Sequence, residues 1–214
     1  MKKILFMGDS ITDAGRDREN HKHLGCGYAT MISGALGAQE PYQYEFINRG
    51  ISGNRVVDLF ARTRIDMIAH KPDYMSILIG VNDVWHEYTR GNGVPVEKYE
   101  TVYNMLIEEL KAEIPDLKLM ILEPFVLPGL ATCNSEEHPT RWEFFDRETR
   151  LRSQAAKRVA DKHGILFVPL QEIFDKVNTD ASSDGYWLRD GVHPTAMGHE
   201  IIKNEWLKAF EKIK

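Results

Sequence analysis

Lys3-Ile4-Leu5-Phe6-Met7-Gly8-Asp9-Ser10 opens the chain with a short apolar run that ends in a cluster of turn-forming residues. Similar runs, rich in β-branched and aromatic residues, recur at Tyr44 to Asn48, Tyr74 to Ile79, Lys118 to Glu123 and Ile165 to Val168. With Lys3 to Met7 they read as five strands. Helical periodicity fills the intervals, most clearly at Val56 to Ala69, Val96 to Glu113, Phe144 to His163 and Thr195 to Ile213. Strand and helix therefore alternate, which predicts an α/β fold with a parallel sheet covered on both faces. Right-handed crossovers wind such a chain into an open sheet whose ligands bind beyond the carboxyl ends of the strands. Functional residues are thus expected just after strands.

The 214 residues suit one domain, 1–214, with a substantial core, and no repeat, low-complexity tract or Gly/Ser linker marks a boundary. Charges of both signs are dispersed and the net charge is -5, so no basic field exists for nucleic acid or an anionic membrane. Cys26 and Cys133 fit no metal or redox spacing and read as free thiols in a reducing compartment. The N-terminal apolar run Ile4 to Met7 is too short for a signal-peptide core or a membrane span, so a cytoplasmic protein is expected. One long irregular stretch, Phe125 to Thr140, reads either as a functional lid or as a surface excursion without a role.

Gly8-Asp9-Ser10-Ile11-Thr12-Asp13 places a hydroxyl on a tight turn directly after the first strand. By itself such a serine reads more naturally as a helix cap. Far away, Asp190-Gly191-Val192-His193-Pro194 sets a carboxylate three residues before an imidazole, just ahead of a helix. One turn there lets Asp190 hold one ring nitrogen of His193 while the other faces a serine hydroxyl. His21 and His23, around Lys22, read as a solvated loop pair with no third metal ligand. Two further segments after strands could stabilise a negative oxygen: Asn48-Arg49-Gly50-Ile51-Ser52-Gly53-Asn54, through bare backbone N–H groups, and Gly80-Val81-Asn82-Asp83, through the Asn82 amide. Each alone also reads as a plain turn or cap. Asp9 reads as a structural brace for the turn.

Taken in order, these four blocks resemble the SGNH (GDSL-type) hydrolases, whose defining Ser, Gly, Asn and His match Ser10, Gly53, Asn82 and His193. The resemblance covers essentially the whole chain; its one departure in wording is Ile11, where the alternative name has Leu. It implies a flavodoxin-like three-layer α/β/α sandwich with a five-stranded parallel sheet and a Ser10–His193–Asp190 triad. It also implies an oxyanion hole from the Ser10 and Gly53 N–H groups and the Asn82 amide, with no metal and no organic cofactor.

Within the superfamily the wording of the blocks is similar to bacterial acetylxylan and carbohydrate acetylesterases, which implies deacetylation of sugars and a homo-oligomer as one option. Trp85, Tyr88, Tyr186 and Trp187 lie within a few residues of these blocks and suit stacking on sugar rings, or else core packing. A lysophospholipase or thioesterase would keep the chemistry with a different acyl pocket, and a non-catalytic carbohydrate-binding pseudoenzyme would leave the complete set of groups unexplained. An aspartate-nucleophile phosphatase is disfavoured because its second carboxylate falls on Ile11. Since an imidazole base must be neutral, ester hydrolysis is expected to rise through about pH 6 to 7; a rate flat from about pH 5 to 8 would contradict a histidine base.

Overall fold

A computed structural model describes residues 1–20, 22–179 and 185–214. In it the opening run forms β1 (Lys2–Gly8), whose side chains alternate between two apolar clusters: Ile4 and Phe6 enter one, Leu5 and Met7 the other. Four more strands follow: β2 (Tyr44–Asn48), β3 (Tyr74–Leu78), β4 (Lys118–Leu122) and β5 (Leu166–Val168). All pair in parallel, in the order β2-β1-β3-β4-β5.

One face of the sheet is covered by α2 (Tyr28–Gln39), α8 (Gln171–Val177) and α9 (Ala196–Phe210), which bring Ile32, Leu36, Phe174, Trp206 and Phe210 against Ile4 and Phe6. The opposite face is covered by α3 (Val56–Ala61), α6 (Val96–Glu113) and α7 (Arg141–His163), whose Leu59, Leu106, Leu110 and Val159 meet Leu5 and Met7. The result is the three-layer sandwich expected from the alternation of apolar runs. From β1 the chain moves outward to β2, then returns past β1 to β3. This strand order opens a crevice at the carboxyl ends of β1 and β3.

The strands expected from sequence form within two residues of their expected limits, and two of the differences have a bonding reason. Ile165 does not join β5 because its N–H bonds the Ala160 carbonyl and helps close α7, where Gly164 adopts the left-handed conformation at φ 63°. Glu123 leaves β4 because its carboxylate accepts the N–H groups of Leu170 (2.7 Å) and Gln171 (2.9 Å) and the Ser153 hydroxyl. The helix expected over Val56 to Ala69 is broken into α3, α4 (Thr63–Asp66) and a 3-10 turn at Ile68–His70. At the break, Arg62 donates to the Arg49 carbonyl and to Asn54, contacts outside the expected helix that periodicity cannot register. α2, α8, α5 (Val81–Arg90) and the single turn α1 (Ser10–Asp13) are helices that the sequence analysis did not single out, although α5 has a strongly amphipathic pattern. No helix among the described residues is long and apolar enough to cross a membrane.

Glu123 ties β4 to the first turn of α8. Glu123→Ala is expected to lower the unfolding free energy by about 2–3 kcal/mol in urea titrations, and Glu123→Gln by less, because the amide oxygen still accepts both N–H groups. Equal stability of both variants and the parent would show that water replaces this cap.

Candidate active site

Ser10 opens α1 immediately after β1, and the turn is closed on both sides of it. The Asp9 carboxylate accepts the Ile11 N–H at 3.0 Å, the Asp9 carbonyl accepts the Asp13 N–H, and the Ser10 carbonyl accepts the Ala14 N–H. Asn48, at the end of β2, clamps this turn from the side. Its amide donates to the carbonyls of Thr12 and Leu24, both at 2.7 Å, while its oxygen accepts the Gly50 N–H. The loop after β2 then lies so close that a Cβ on Gly50 would stand 2.2 Å from the Asp13 nitrogen; only glycine fits. Asp13 fixes the loop two residues further on by accepting the Ser52 N–H at 3.1 Å.

His193 arrives from the segment between β5 and α9. Its Nε2 is 2.9 Å from Ser10 Oγ, across 183 residues of sequence, and its Nδ1 is 2.7 Å from Asp190 Oδ2. The other Asp190 oxygen accepts the N–H groups of Val192 (3.0 Å) and His193 (2.8 Å). Partial burial opposes the charge on Asp190, but these three bonds outweigh it and hold the carboxyl down at about 2. The carboxylate therefore stays ionised wherever an imidazole can act as a base. With Nδ1–H donating to Asp190, Nε2 is left to take the Ser10 proton, which is the arrangement that activates a hydroxyl for attack on a carbonyl.

The Asp190 segment is braced from outside. Leu127 N–H donates to the Gly191 carbonyl and Ala131 N–H to the Asp190 carbonyl, both at 2.9 Å. Phe125 to Thr140, read from sequence as a lid or an idle excursion, thus holds the Asp190–His193 turn in place.

Asn82, in the first turn of α5 after β3, is buried and donates to the Asn54 carbonyl at 3.2 Å, which ties it to the residue after Gly53. Gly53 has φ 83°, a left-handed conformation that favours glycine. Asp83 serves a different helix from its own: both of its oxygens accept the Val56 N–H, at 3.1 and 3.2 Å, and so cap α3. Burial pushes its carboxyl well above the ordinary range, against the pull of that N–H. Asp9 is likewise raised, to about 7, by burial, countered by the Ile11 N–H, His193 and Asn82.

The aromatic candidates separate into two groups. The Trp85 ring centroid lies 6.1 Å from that of His193, and Trp85 and Tyr88 share a cavity wall with Phe145. Tyr186 and Trp187 line a separate apolar groove with Met197 and Ile201, and the Trp187 indole donates to the Val177 carbonyl at 3.2 Å. The structure does not bring that pair to Ser10. Of the histidine pair, His21 lies outside the described residues, and His23 accepts the Asp17 N–H at 3.3 Å.

The cleft of about 370 Å³ around Ser10 is also lined by Ala14, Gly15, Arg189 and His199, which the sequence did not single out, and by Cys26 and Ser52, to which it gave no role in the cleft. His199 accepts the Tyr28 N–H on Nδ1, and burial holds it down at about 4, so the ring is uncharged near neutrality. Its sequence signal was phase: it falls in register with Ile202, Trp206 and Phe210 on the buried stripe of α9.

The sequence pattern of the GDSL-like lipase/acylhydrolase family matches residues 6–201. The chain belongs to that family. As a GDSL-like acylhydrolase it is a carboxylic-ester hydrolase. It is 36% identical over 225 residues to an acetylxylan esterase of Geobacillus stearothermophilus, covering 100% of this chain and 96% of the relative. A crystal structure of that organism's acetylxylan esterase superposes with TM-score 0.82 at 35% identity, covering 97% of this chain and 93% of the other. A protein described as a GDSL-like lipase, from Parabacteroides merdae, superposes with TM-score 0.87 at 36% identity over 98% of this chain and 95% of its own. An alpha/beta hydrolase enzyme from the metagenome of Lake Arreo gives 0.82 at 30%, over 100% and 96%. These neighbours share the SGNH hydrolase sandwich and its five-stranded parallel sheet.

Asp9 carries the clearest pH signature in this esterase. Its folded value, about 7, lies above its ordinary 3.8, so it favours the folded state at low pH and that contribution is lost as pH rises from about 4 through 7. Asp9→Asn removes the titration. The stability of the variant relative to the parent is expected to improve by a few kcal/mol between about pH 5 and pH 8, measured as paired urea midpoints. A pH-independent difference would show that the fold does not raise the Asp9 carboxyl above its ordinary value.

Proposed function

We propose that this esterase removes acetyl groups from acetylated sugars such as xylo-oligosaccharides, through an acyl-enzyme on Ser10. The observation that carries the chemistry is the unbroken hydrogen-bonded series from Asp190 through His193 to Ser10 Oγ. The substrate class is supported by the 36% identity, across the full chain, with an acetylxylan esterase, and by the indole of Trp85 beside His193.

In the first half-reaction His193 Nε2 takes the Ser10 proton as Oγ bonds to the acetyl carbon, and the carbonyl electron pair moves onto oxygen. That oxyanion faces the N–H groups of Ser10 and Gly53 and the Asn82 amide, whose donors stabilise charge that exists only in the intermediate. Collapse breaks the bond to the sugar oxygen, which leaves as an alcohol with the proton from His193. Water then repeats the sequence on the acetyl-serine, and acetate departs with Ser10 restored. Asp190 keeps the imidazole in the required tautomer and stabilises the imidazolium formed in each half. The reaction balances without a metal ion or an organic cofactor.

The decisive experiment follows acetate release from an acetylated xylo-oligosaccharide beside aryl esters of two-, four-, eight- and twelve-carbon acids, with Ser10→Ala as the control. The expected result is fast deacetylation, a steep fall beyond the acetyl ester, and loss of turnover in a folded Ser10→Ala protein. Preference for the longer chains would move the activity to lipid or thioester hydrolysis. Turnover retained in Ser10→Ala would overturn the nucleophile.

A further inference from the structure

Trp85 also forms one wall of a second cavity, of about 330 Å³, together with Tyr88, Phe145, Ala131, His138 and Arg141. Its walls are aromatic and mutually packed: Trp85 meets Phe145 at 5.6 Å, and Tyr88 meets Phe145 at 5.4 Å and His138 at 5.6 Å between ring centroids. Tyr88, His138 and Phe145 take no part in the acyl chemistry. The excursion Phe125 to Thr140, whose backbone braces the Asp190 turn, supplies Ala131 and His138 to this wall.

Arg49, Arg55, Arg62, Arg150, Arg152 and Arg158 all pair with carboxylates. Among the described residues Arg16, Arg90, Arg141 and Arg189 form no ion pair, and of these four Arg141 is the one set on an aromatic face, in the wall of this cavity. Its guanidinium carbon sits 5.9 Å from the Tyr88 ring centroid, its Nη2 reaches only the Ser135 hydroxyl at 3.5 Å, and its Nε is buried without a partner. A buried donor without an acceptor is destabilising, and no carboxylate lines the cavity to relieve it. A guanidinium held on an aromatic face, with donors left over, is suited to a planar oxyanion delivered from outside.

We propose that this cavity binds a uronate ring carried by the acetylated substrate, with Arg141 taking the carboxylate while Trp85 and Tyr88 pack against the sugar. The proposal rests on the reading of the enzyme as an esterase of acetylated sugars. Because Trp85 borders both the cavity and His193, an oligosaccharide whose ester lies at Ser10 reaches the cavity with a neighbouring ring. Acidic decoration near the ester is then a positive determinant of specificity. A neutral ring or a simple acyl chain would fill the aromatic space and leave the Arg141 donors unmet.

The test compares kcat and KM for a neutral acetylated xylo-oligosaccharide with those for the same oligosaccharide bearing a glucuronic acid branch, in the parent enzyme, Arg141→Gln and Arg141→Ala. The parent is expected to favour the acidic substrate through KM, and both variants to lose that preference by about ten- to a hundredfold. Added salt is expected to shrink the parent's preference and leave the variants' selectivity unmoved. An acidic-to-neutral ratio that is the same in parent and variants overturns the proposal, as does a parent that disfavours the acidic substrate. If the parent cleaves aryl acetate but neither oligosaccharide, the acetyl-sugar reading fails and the uronate site falls with it.

Discussion

At the carboxyl end of β1 the chain must turn sharply, present a hydroxyl, and leave room for the neighbouring loop to press against its backbone. The bare α-carbon of Gly50 meets the last requirement, and the three bonds of the Asn48 amide convert proximity into a fixed geometry. The position of Ser10 depends on that clamp, and with it the 2.9 Å contact that links residues 183 positions apart. A side chain so placed has little rotational freedom left to lose when it reacts, which is the economy of a preorganised site.

Beside Asp13, which accepts the Ser52 N–H, three carboxylates around this turn are given different tasks by their surroundings. Asp190, partly exposed and holding three hydrogen bonds, stays charged; Asp9 and Asp83, fully buried, are raised by desolvation and do structural work at helix starts. The same side-chain chemistry thus supplies one permanent anion beside His193 and two weakly acidic braces behind it.

The excursion between β4 and α7 shows how irregular chain can be structural on one side and open on the other. Its amides at Leu127 and Ala131 hold the Asp190 turn, while Ala131 and His138 help wall the cavity beyond Trp85. Bracing and lining are compatible because the backbone does the first and side chains do the second.

Sequence alone determined the layer architecture, because apolar runs separated by helical periods can bury their surface only as a parallel sheet sandwiched between helices. It also determined the short-range half of the site: Asp190 and His193 lie three residues apart, and their pairing is a matter of one local turn. What tertiary structure decided was every contact set by the meeting of distant segments. The break at Arg62, the service of Asp83 to α3 rather than α5, the lining of the Ser10 cleft by His199 and the diversion of Tyr186 and Trp187 to another groove depend on neighbours remote in sequence. Periodicity and local spacing describe which face of an element is apolar; they carry no information about which atoms arrive from elsewhere to meet it.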